Sequence, residues 1–374
     1  MASNRRYPRV RSEWFLAISL PTCAAFFLYG GRLLQGLHRV PWLLLMFAWL
    51  FAAILGSALA VVRHADRLAE RLGEPYGTLI LTLSITSIEV VGISAVMLHG
   101  ANNPTLARDT LFAVTMIILN GMIGLSLLIG GWRRLEQHFN LHGANAYLGV
   151  IIPLGVLALV LPNFTLSSPG ASLVHAQELF IAVASVGLYV TFLFLQTNRH
   201  RAYFTPADDV AEPVPVTAHA PDAWPGLGWH VALLLAYMGP VVFLAEKLAL
   251  PVDYIVETIK APTALAGLTM AVLVATPEAI SAVRAARRNH LTRSVNISLG
   301  SVLSTIGLTI PSILLIGHLT DHPVTLGLQH TDLVLFVLTL VLCMVTFSSG
   351  RTTVLQGAVH LILFAAYLFF MLQP

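Results

Sequence analysis

The chain consists largely of apolar stretches that are each about as long as a lipid bilayer is thick. Eleven such runs lie at 14–33, 41–62, 77–98, 109–131, 145–162, 174–196, 229–246, 263–283, 294–317, 331–349 and 352–372. A helix of about 20 residues spans the hydrocarbon core of a bilayer. A helix also bonds all of its backbone polar groups internally, as the bilayer requires. The pattern predicts an all-α integral membrane protein with about 11 transmembrane helices.

Charged residues are too few to cover a water-soluble fold of this length. Asp, Glu, Lys and Arg make up 10% of the 374 residues, against about 25% in a typical soluble protein. Cys23 and Cys343 both lie in apolar runs, so neither a disulfide framework nor a zinc site is expected. We therefore expect the lipid bilayer to be the main partner of the chain, and we expect no nucleic acid.

The basic N-terminus and the first apolar run together resemble a signal peptide. Arg5, Arg6, Arg9 and Arg11 precede this run, whose apolar core of about 17 residues is close to the shortest length that spans a bilayer. Because many more spans follow, we interpret the run as a retained first helix. Cleavage near Ala24 is the alternative.

Arginine and lysine are distributed unevenly over the loops between the runs. With the N-terminus in the cytoplasm, sixteen basic residues fall on the inner side: Arg5, Arg6, Arg9, Arg11, Arg63, Arg67, Arg71, Arg133, Arg134, Arg199, Arg201, Arg284, Arg287, Arg288, Arg293 and Arg351. Five fall on the outer side: Arg32, Arg39, Arg108, Lys247 and Lys260. Cytoplasmic loops carry an excess of Lys and Arg. The bias predicts an inner-membrane protein with a cytoplasmic N-terminus and a periplasmic C-terminus.

Matching features occur in the same order in the two halves of the chain. A proline and a glycine lead into the apolar run that contains Glu89, and the same residue types lead into the run that contains Glu278. Five spans per half would insert the second copy in the opposite orientation, as in secondary transporters. We therefore expect a cytoplasmic N-terminus with accessory helix 1 (1–40), a first inverted repeat with helices 2–6 (41–196), a cytoplasmic polar, proline-rich linker (197–228) and a second inverted repeat with helices 7–11 (229–374).

Two carboxylates lie near the middle of apolar runs, at corresponding places in the two halves: Glu89 and Glu278. A charge near the bilayer centre destabilises insertion by about 2.5–3.5 kcal/mol. Burial favours the protonated acid, whereas a bound cation favours the carboxylate. Each glutamate can therefore hold a proton in one state and a cation in the other, which predicts competitive exchange. Two glutamates suit a divalent cation against two protons, and a monovalent cation against one proton stays open. A pair of neutral acids that bond helices together is the alternative.

Oxygen-bearing side chains near the two glutamates are candidate ligands, since hard cations prefer six or more oxygens. The first candidates are Thr86, Ser87, Thr276, Ser301 and Thr305, and the secondary candidates are Ser84, Asn120, Asn296, Ser304 and Asp109. Pro277 has no N–H, so we expect its helix to bend or open there and to free a carbonyl. The alternatives are hydroxyls bonded to the preceding turn and, for Asp109, capping of a helix start.

Motifs of other protein classes are absent from the sequence. It contains no Walker A loop, which argues against a primary pump. It also lacks the His-Glu-x-x-His and Gly-x-Ser-x-Gly motifs of membrane-embedded hydrolases. We therefore expect a secondary active transporter and not an enzyme. A passive cation channel with the same glutamates as a selectivity ring is the alternative.

Four segments resemble the ChaA-type bacterial calcium/proton antiporters, which belong to the proton-coupled branch of the cation/calcium exchanger superfamily. They are VVRHAD at 61–66, RLGEPYG at 71–77, LARDTL at 106–111 and SSGRT at 348–352. The resemblance implies eleven helices, of which one is accessory and ten form two inverted repeats. It places the essential acidic residues of the two signature helices, and with them the central site, on Glu89 and Glu278. The Gly-Ser step of the second signature falls on Gly300-Ser301.

The sequence departs from the wider family beside these residues. The usual Gly-Asn ahead of each glutamate is replaced by Ile85-Thr86 and by Val274-Ala275, and the Gly-Ser of the first repeat is replaced by Ala113-Val114. The resemblance implies export of Ca²⁺ in exchange for protons by alternating access. The reduced set of polar ligands also fits Na⁺ or K⁺, with which the ChaA type is associated. It implies no cofactor apart from the transported ions.

Overall fold

The structure is a computed structural model that describes residues 13–73, 76–98, 104–132, 134–166, 172–204 and 225–373. Pro75, the N-terminal arginines and most of the linker lie outside these ranges. Ten described helices are long and apolar enough to cross a membrane. A shorter apolar helix, His330–Thr346, brings the number of described apolar helices to the eleven that the sequence predicts.

The helices are numbered in chain order. They are α1 (Leu16–Leu34), α2 (Val40–Leu72), α3 (Tyr76–Met97), α4 (Leu106–Gly131), α5 (Leu141–Phe164), α6 (His175–Arg199), α7 (Gly226–Thr258), α8 (Ala264–Arg287), α9 (Leu291–Leu319), α10 (His330–Thr346) and α11 (Val354–Leu372). All eleven overlap the predicted runs, so the prediction of an all-α integral membrane protein is confirmed.

Two helices extend well past their predicted ends. Helix α2 ends at Leu72 and α7 at Thr258, whereas the apolar runs end at 62 and 246. Each has 33 residues, which gives about 50 Å of helix, more than the thickness of the hydrocarbon core. The ten added residues of α2, nearly three turns of helix, contain Arg63, Arg67 and Arg71. A hydropathy criterion ends the span where charges begin, although the backbone hydrogen bonds of the helix continue beyond that point.

Helices α4 and α9 both contain a π-helical segment in their middle. The segment in α4 is Ile117–Met122, which begins 28 residues after Glu89, and the segment in α9 is Thr305–Thr309, which begins 27 residues after Glu278. Short π-helical turns are rare and are often found at functional sites. Their matching positions support the division into two repeats that we propose from the sequence.

The chain forms two compact units. The first unit comprises residues 1–101 and 223–261, with helices α1, α2, α3 and α7 in its described part. Within it, α2 packs against both α3 and α7, and α1 packs against α2 and α7. The core of this unit includes Met46, Leu50 and Tyr237, which are fully buried.

The second unit comprises residues 102–222 and 262–374 and contains the remaining helices. Helix α8 packs against α4 and α9, and α11 packs against the second half of α4. Glycine permits these close approaches: a Cβ atom at Gly267 would lie 2.7 Å from the backbone of Asp109. A two-stranded antiparallel sheet, β1 (Gln137–His138) with β2 (Arg351–Thr352), pairs Gln137 with Thr352. Part of the SSGRT segment thus forms strand β2.

Candidate functional site

Glu278 lies in the middle of helix α8 and is buried, with 7% of its surface exposed. The hydroxyl of Ser301, on the neighbouring helix α9, donates a hydrogen bond to Oε2 of Glu278. Helix α8 is continuous through Pro277, so the expected opening of the helix at this proline is wrong. One missing N–H in a helix packed on both sides does not separate its turns. Glu278 therefore projects from an unbroken helix, α8, and accepts a hydrogen bond from the Ser301 hydroxyl of α9.

Helix α9 carries three hydroxyl side chains within five residues: Ser301, Ser304 and Thr305. Ser304 donates a hydrogen bond to the carbonyl oxygen of Ser301 at 2.8 Å, and the buried Thr305 begins the π-helical segment. Gly300 faces Tyr147, because a Cβ atom at Gly300 would lie 3.4 Å from the Tyr147 hydroxyl. Asn296 is directed elsewhere, since its amide donates to the carbonyl of Phe204 at 2.7 Å. The structure thus brings Ser301 to Glu278 and places Asn296 in a loop contact.

Glu89 lies in helix α3 and is 1% exposed. Thr86, three residues earlier and on the same side of the helix, is 6% exposed. In the part of the chain that the structure describes, the Thr86 hydroxyl has no hydrogen-bond partner. A buried hydroxyl without a partner is unfavourable, so this oxygen is available to a ligand. Thr86 and Glu89 together therefore present two oxygen-bearing groups on one helix face.

The other candidate hydroxyls bond to their own helices. Ser84 donates to the Ile80 carbonyl at 2.7 Å, Ser87 to the Leu83 carbonyl at 2.6 Å and Thr276 to the Val272 carbonyl at 2.5 Å. Ser87 is also exposed and, two residues from Glu89, lies about 200° away around the helix. The structure does not bring Ser84 or Ser87 to the face of Glu89. A hydroxyl that donates a hydrogen bond still has acceptor lone pairs on its oxygen. The Thr276 oxygen therefore remains able to coordinate a cation.

Asp109 forms a buried ion pair instead of capping a helix start. The Arg108 guanidinium lies 2.8 Å from Oδ1 of Asp109, and the Thr105 hydroxyl donates to Oδ2 at 3.1 Å. Arg108 also donates to the carbonyl of Gly327 at 3.2 Å. The capping alternative is wrong because α4 begins at Leu106, which places Asp109 inside the first turn. Both carboxylate oxygens of Asp109 are thus engaged at this end of α4.

Asn120 lies in the π-helical segment of α4 and is fully buried in a polar network. Its amide nitrogen donates to the Thr339 hydroxyl at 2.7 Å, and its oxygen lies 3.2 Å from Nδ1 of His360. Nε2 of His360 lies 3.0 Å from the Thr346 hydroxyl. This network is not apparent from the sequence, since its partners are up to 240 residues apart. The structure therefore places Asn120 as a link from α4 to α10 and α11.

The described residues contain no group of three or more His, Cys, Asp and Glu side chains that could hold a metal ion. At Glu278 itself the structure shows a carboxylate and the neutral oxygen of the Ser301 hydroxyl. Such a ligand set suits Ca²⁺, Na⁺ or K⁺, which accept carboxylate, hydroxyl, carbonyl and water oxygens. It does not resemble a zinc site, which uses nitrogen or sulfur ligands.

Two long segments of the chain match one known family of membrane proteins. The family is described as "Sodium/calcium exchanger protein", and the matched residues are 42–198 and 229–373. The chain belongs to this exchanger family. The two segments that carry the exchanger match omit 199–228 and nearly coincide with the proposed repeats, 41–196 and 229–374.

Individual exchanger relatives are similar over most of their length. The chain is 44% identical over 327 residues to an ionic transporter, y4hA, of Sinorhizobium fredii, which covers 87% of each protein. It is 41% identical over 317 residues to the sodium-potassium/proton antiporter ChaA of Escherichia coli, which covers 84% of this chain and 85% of that protein. The solved structure of the Ca²⁺/H⁺ antiporter YfkE matches 96% of this chain and 99% of YfkE, with a TM-score of 0.73 and 19% identity. The exchanger fold is thus shared, and with ten candidate spans the chain is a multi-pass membrane protein.

Proposed function

We propose that the chain is a secondary active antiporter that exports Ca²⁺, and also Na⁺ or K⁺, in exchange for protons by alternating access. Glu89 and Glu278 carry the cation and the protons in turn. The observation that carries this proposal is the buried Glu278 carboxylate, which faces the Ser301 hydroxyl of the neighbouring helix. The printed name of the Escherichia coli relative, a sodium-potassium/proton antiporter, supports the same type of exchange.

The Glu278–Ser301 pair can serve both ions. With no cation bound, the Ser301 hydroxyl donates to the carboxylate and partly replaces the water that burial removes. A hydroxyl also has two acceptor lone pairs. If its proton rotates away, the same oxygen can coordinate a cation together with the carboxylate. Protonation of Glu278 removes the negative charge that holds the cation, so cation and proton compete for this group.

Neutral oxygens near the glutamates would complete the cation shell. On the side of Glu278 we assign this role to Ser301, Thr305 and Thr276, and on the side of Glu89 to Thr86. Ser304, which donates to the Ser301 carbonyl, fixes the turn that carries Ser301. Hard cations tolerate mixed sets of carboxylate, hydroxyl and carbonyl ligands. Such a set with few charges fits a transporter that accepts more than one cation.

Coupling distinguishes this antiporter from the passive channel, and the exchanger names of the relatives favour coupling. The test uses everted membrane vesicles with an imposed pH gradient, interior acid, to which Ca²⁺, Na⁺ or K⁺ is added in turn. An antiporter releases protons from the vesicles on addition of each transported cation, including when the membrane potential is clamped. A channel shows no proton release under the clamp, and that result would overturn the proposal.

A matched glutamate provides the control for this assay. Glu257 lies near the end of α7 and is exposed, so Glu257→Gln removes a carboxylate without touching either buried one. We expect vesicles with Glu257→Gln to exchange at the wild-type rate.

We also propose the topology that the basic residues indicate. The protein lies in the inner membrane with its N-terminus in the cytoplasm and its C-terminus in the periplasm. The excess of Arg on the proposed inner loops supports this orientation. Labelling of single cysteines placed at Leu135 and at Thr320, which are exposed residues of two loops, tests it. We expect a membrane-impermeant thiol reagent to label position 320 and not position 135 in intact cells with a permeabilised outer membrane.

A further inference from the structure

The first unit contains a cluster of polar side chains that the proposed exchange does not use. Glu13, which lies just before α1, accepts three hydrogen bonds through its Oε2 atom. The donors are Nη2 of Arg63 at 2.9 Å, Nε2 of His64 at 3.1 Å and the hydroxyl of Tyr237 at 3.1 Å. Arg63 and His64 belong to α2 and Tyr237 belongs to α7. One carboxylate thus joins the N-terminal segment (13–15, directly before α1) to two long helices.

Two buried histidines complete the cluster. Nδ1 of His64 lies 2.9 Å from Nδ1 of His230, which is in the second turn of α7, and the ring centroids are 5.2 Å apart. His64 is also stacked on Tyr237, with centroids 5.9 Å apart and an interplanar angle of 23°. Both histidines are buried. Their contact therefore links α2 directly to α7.

The distance between the two Nδ1 atoms fixes how many protons the pair can hold. Two ring nitrogens at 2.9 Å form a hydrogen bond only if one carries a proton and the other offers a lone pair. Nε2 of His64 donates to Glu13, so its proton is already in use. The contact therefore persists while the two Nδ1 atoms share one proton. When both Nδ1 atoms carry a proton, two N–H groups face each other and the contact is repulsive.

Charged side chains around the two histidines also affect whether the pair binds a second Nδ1 proton. The groups that face them are Glu13 from the N-terminal segment, Arg63, Arg67 and Arg71 from α2, and Tyr237 from α7. A Cβ atom at Gly226 would lie within 3 Å of the Arg71 guanidinium, so Arg71 also contacts the start of α7. Three positive side chains oppose a further positive charge on the pair, whereas the Glu13 carboxylate favours it. A second proton on the pair thus acts against both the histidine contact and the surrounding arginines.

We propose that Glu13, His64 and His230 form a proton-operated latch. At neutral and alkaline pH the latch fastens the N-terminal segment to α2 and α7, and it opens when both histidines carry an Nδ1 proton. An unperturbed histidine side chain changes its charge between about pH 5 and pH 8. If the proposed function and topology hold, the latch lies at the cytoplasmic ends of α2 and α7. Protons that enter the cytoplasm by exchange can then bind to its histidines.

The latch can be tested without any transport measurement. Hydrogen–deuterium exchange of the purified protein in lipid nanodiscs reports the protection factors of the first turns of α1, with the intrinsic pH effect on amide exchange removed. We expect protection to fall by about tenfold between about pH 8 and about pH 5.5 in the wild type, since local opening governs exchange. Unchanged protection across this range would overturn the proposal.

Three variants separate the latch from a general effect of acid. His230→Asn keeps a neutral hydrogen-bonding group that cannot be protonated, so we expect protection at low pH to stay near its value at high pH. His38→Asn is the matched control, because His38 is exposed in the same unit, and we expect it to open like the wild type. Glu13→Gln removes the anionic acceptor, and we expect low protection at both pH values. A His230→Asn protein that opens like the wild type would refute the latch.

Transport provides a separate readout. In the vesicle assay, His230→Asn should shift the dependence of exchange on cytoplasmic pH, whereas His38→Asn should not. If no exchange occurs in any protein, the proposed function fails while the protection factors still decide the latch. If exchange occurs and its pH profile is the same in all variants, the latch does not regulate transport.

Discussion

The stretches of chain that follow Glu89 and Glu278 differ in polarity although the two glutamates occupy corresponding helices. Ser301 lies 23 residues after Glu278 and bonds to it, and Ser304 and Thr305 follow at once. The residues 23 to 27 positions after Glu89 are Phe112, Ala113, Val114, Thr115 and Met116, of which one has a hydroxyl group. Both stretches then enter a π-helical segment. The two stretches thus share a backbone feature and follow one buried carboxylate each, while the stretch after Glu278 has three hydroxyl groups where the stretch after Glu89 has one.

From this difference we predict that the two glutamates have unequal roles in the proposed exchange. Glu278 has neutral oxygens from the next helix, so we expect it to determine how tightly a cation is held. The hydroxyl nearest Glu89 in sequence is Thr86 of its own helix, once the back-bonded Ser87 is set aside. We expect Glu89 to contribute mainly charge, and therefore to determine whether exchange occurs more than which cation is preferred.

Loss of either carboxylate is the largest expected effect. Glu278→Gln and Glu89→Gln each replace a buried carboxyl group by an amide, which carries neither a negative charge nor an exchangeable acid proton. We expect exchange in both variants to fall by at least about a hundredfold, which corresponds to about 2.7 kcal/mol. The measurement is cation-dependent proton release from vesicles at matched protein levels. Full exchange in both variants would show that the glutamates only bond helices together.

Removal of the Ser301 hydroxyl is expected to be the next largest effect. A hydrogen bond to a charged group contributes about 1.5–3 kcal/mol, so Ser301→Ala should weaken apparent cation affinity by about tenfold or more while the maximal rate changes less. Ser298→Ala is the control, because Ser298 is a buried serine of the same helix whose hydroxyl donates to the Ser294 carbonyl at 2.9 Å, within its own helix. An equal loss of apparent cation affinity in the two variants would show that the Ser301 hydroxyl has no special role beside Glu278.

The smallest expected effect is at Thr86. Thr86→Val keeps the shape of the side chain and removes a hydroxyl that lacks a partner among the described residues. We expect the thermal stability to be unchanged or higher, and the apparent cation affinity to fall by about twofold to fivefold. Thr110→Val, which removes a buried hydroxyl bonded to the Leu106 carbonyl at 2.8 Å, is the matched control. A loss of affinity at Thr110 as large as at Thr86 would contradict the assignment.

Local patterns were sufficient to predict the helices and the two carboxylates. The eleven apolar runs correspond to the eleven described helices, and Glu89 and Glu278 are buried as their positions within apolar runs predict. Local patterns were insufficient at the end of α2, where Arg63 and its neighbours suggested a loop. Arginine is a good helix former, so a helix can continue through such residues where its end lies outside the hydrocarbon core.

Contacts between distant parts of the chain could not be predicted from one sequence. Asn120 looked like a candidate ligand, but it bonds to Thr339 and His360, which are 219 and 240 residues away. His64 belongs to a segment that resembles the ChaA type, yet its contact with His230 depends on how α2 packs against α7. A histidine on the buried stripe of a helix is the signal that could have drawn attention to it, since such a side chain needs a polar partner.

In the proposed exchange, cation and protons compete for the same carboxylates, and the number of protons released per cation bound tests this competition most directly. Calorimetry of Ca²⁺ binding to the purified protein, in buffers of different ionisation enthalpy, gives this number. We predict that the wild type releases between about one and two protons per Ca²⁺, and that Glu278→Gln releases about one fewer than the wild type. Binding of Ca²⁺ without proton release near neutral pH would show that cation and protons do not compete for these carboxylates.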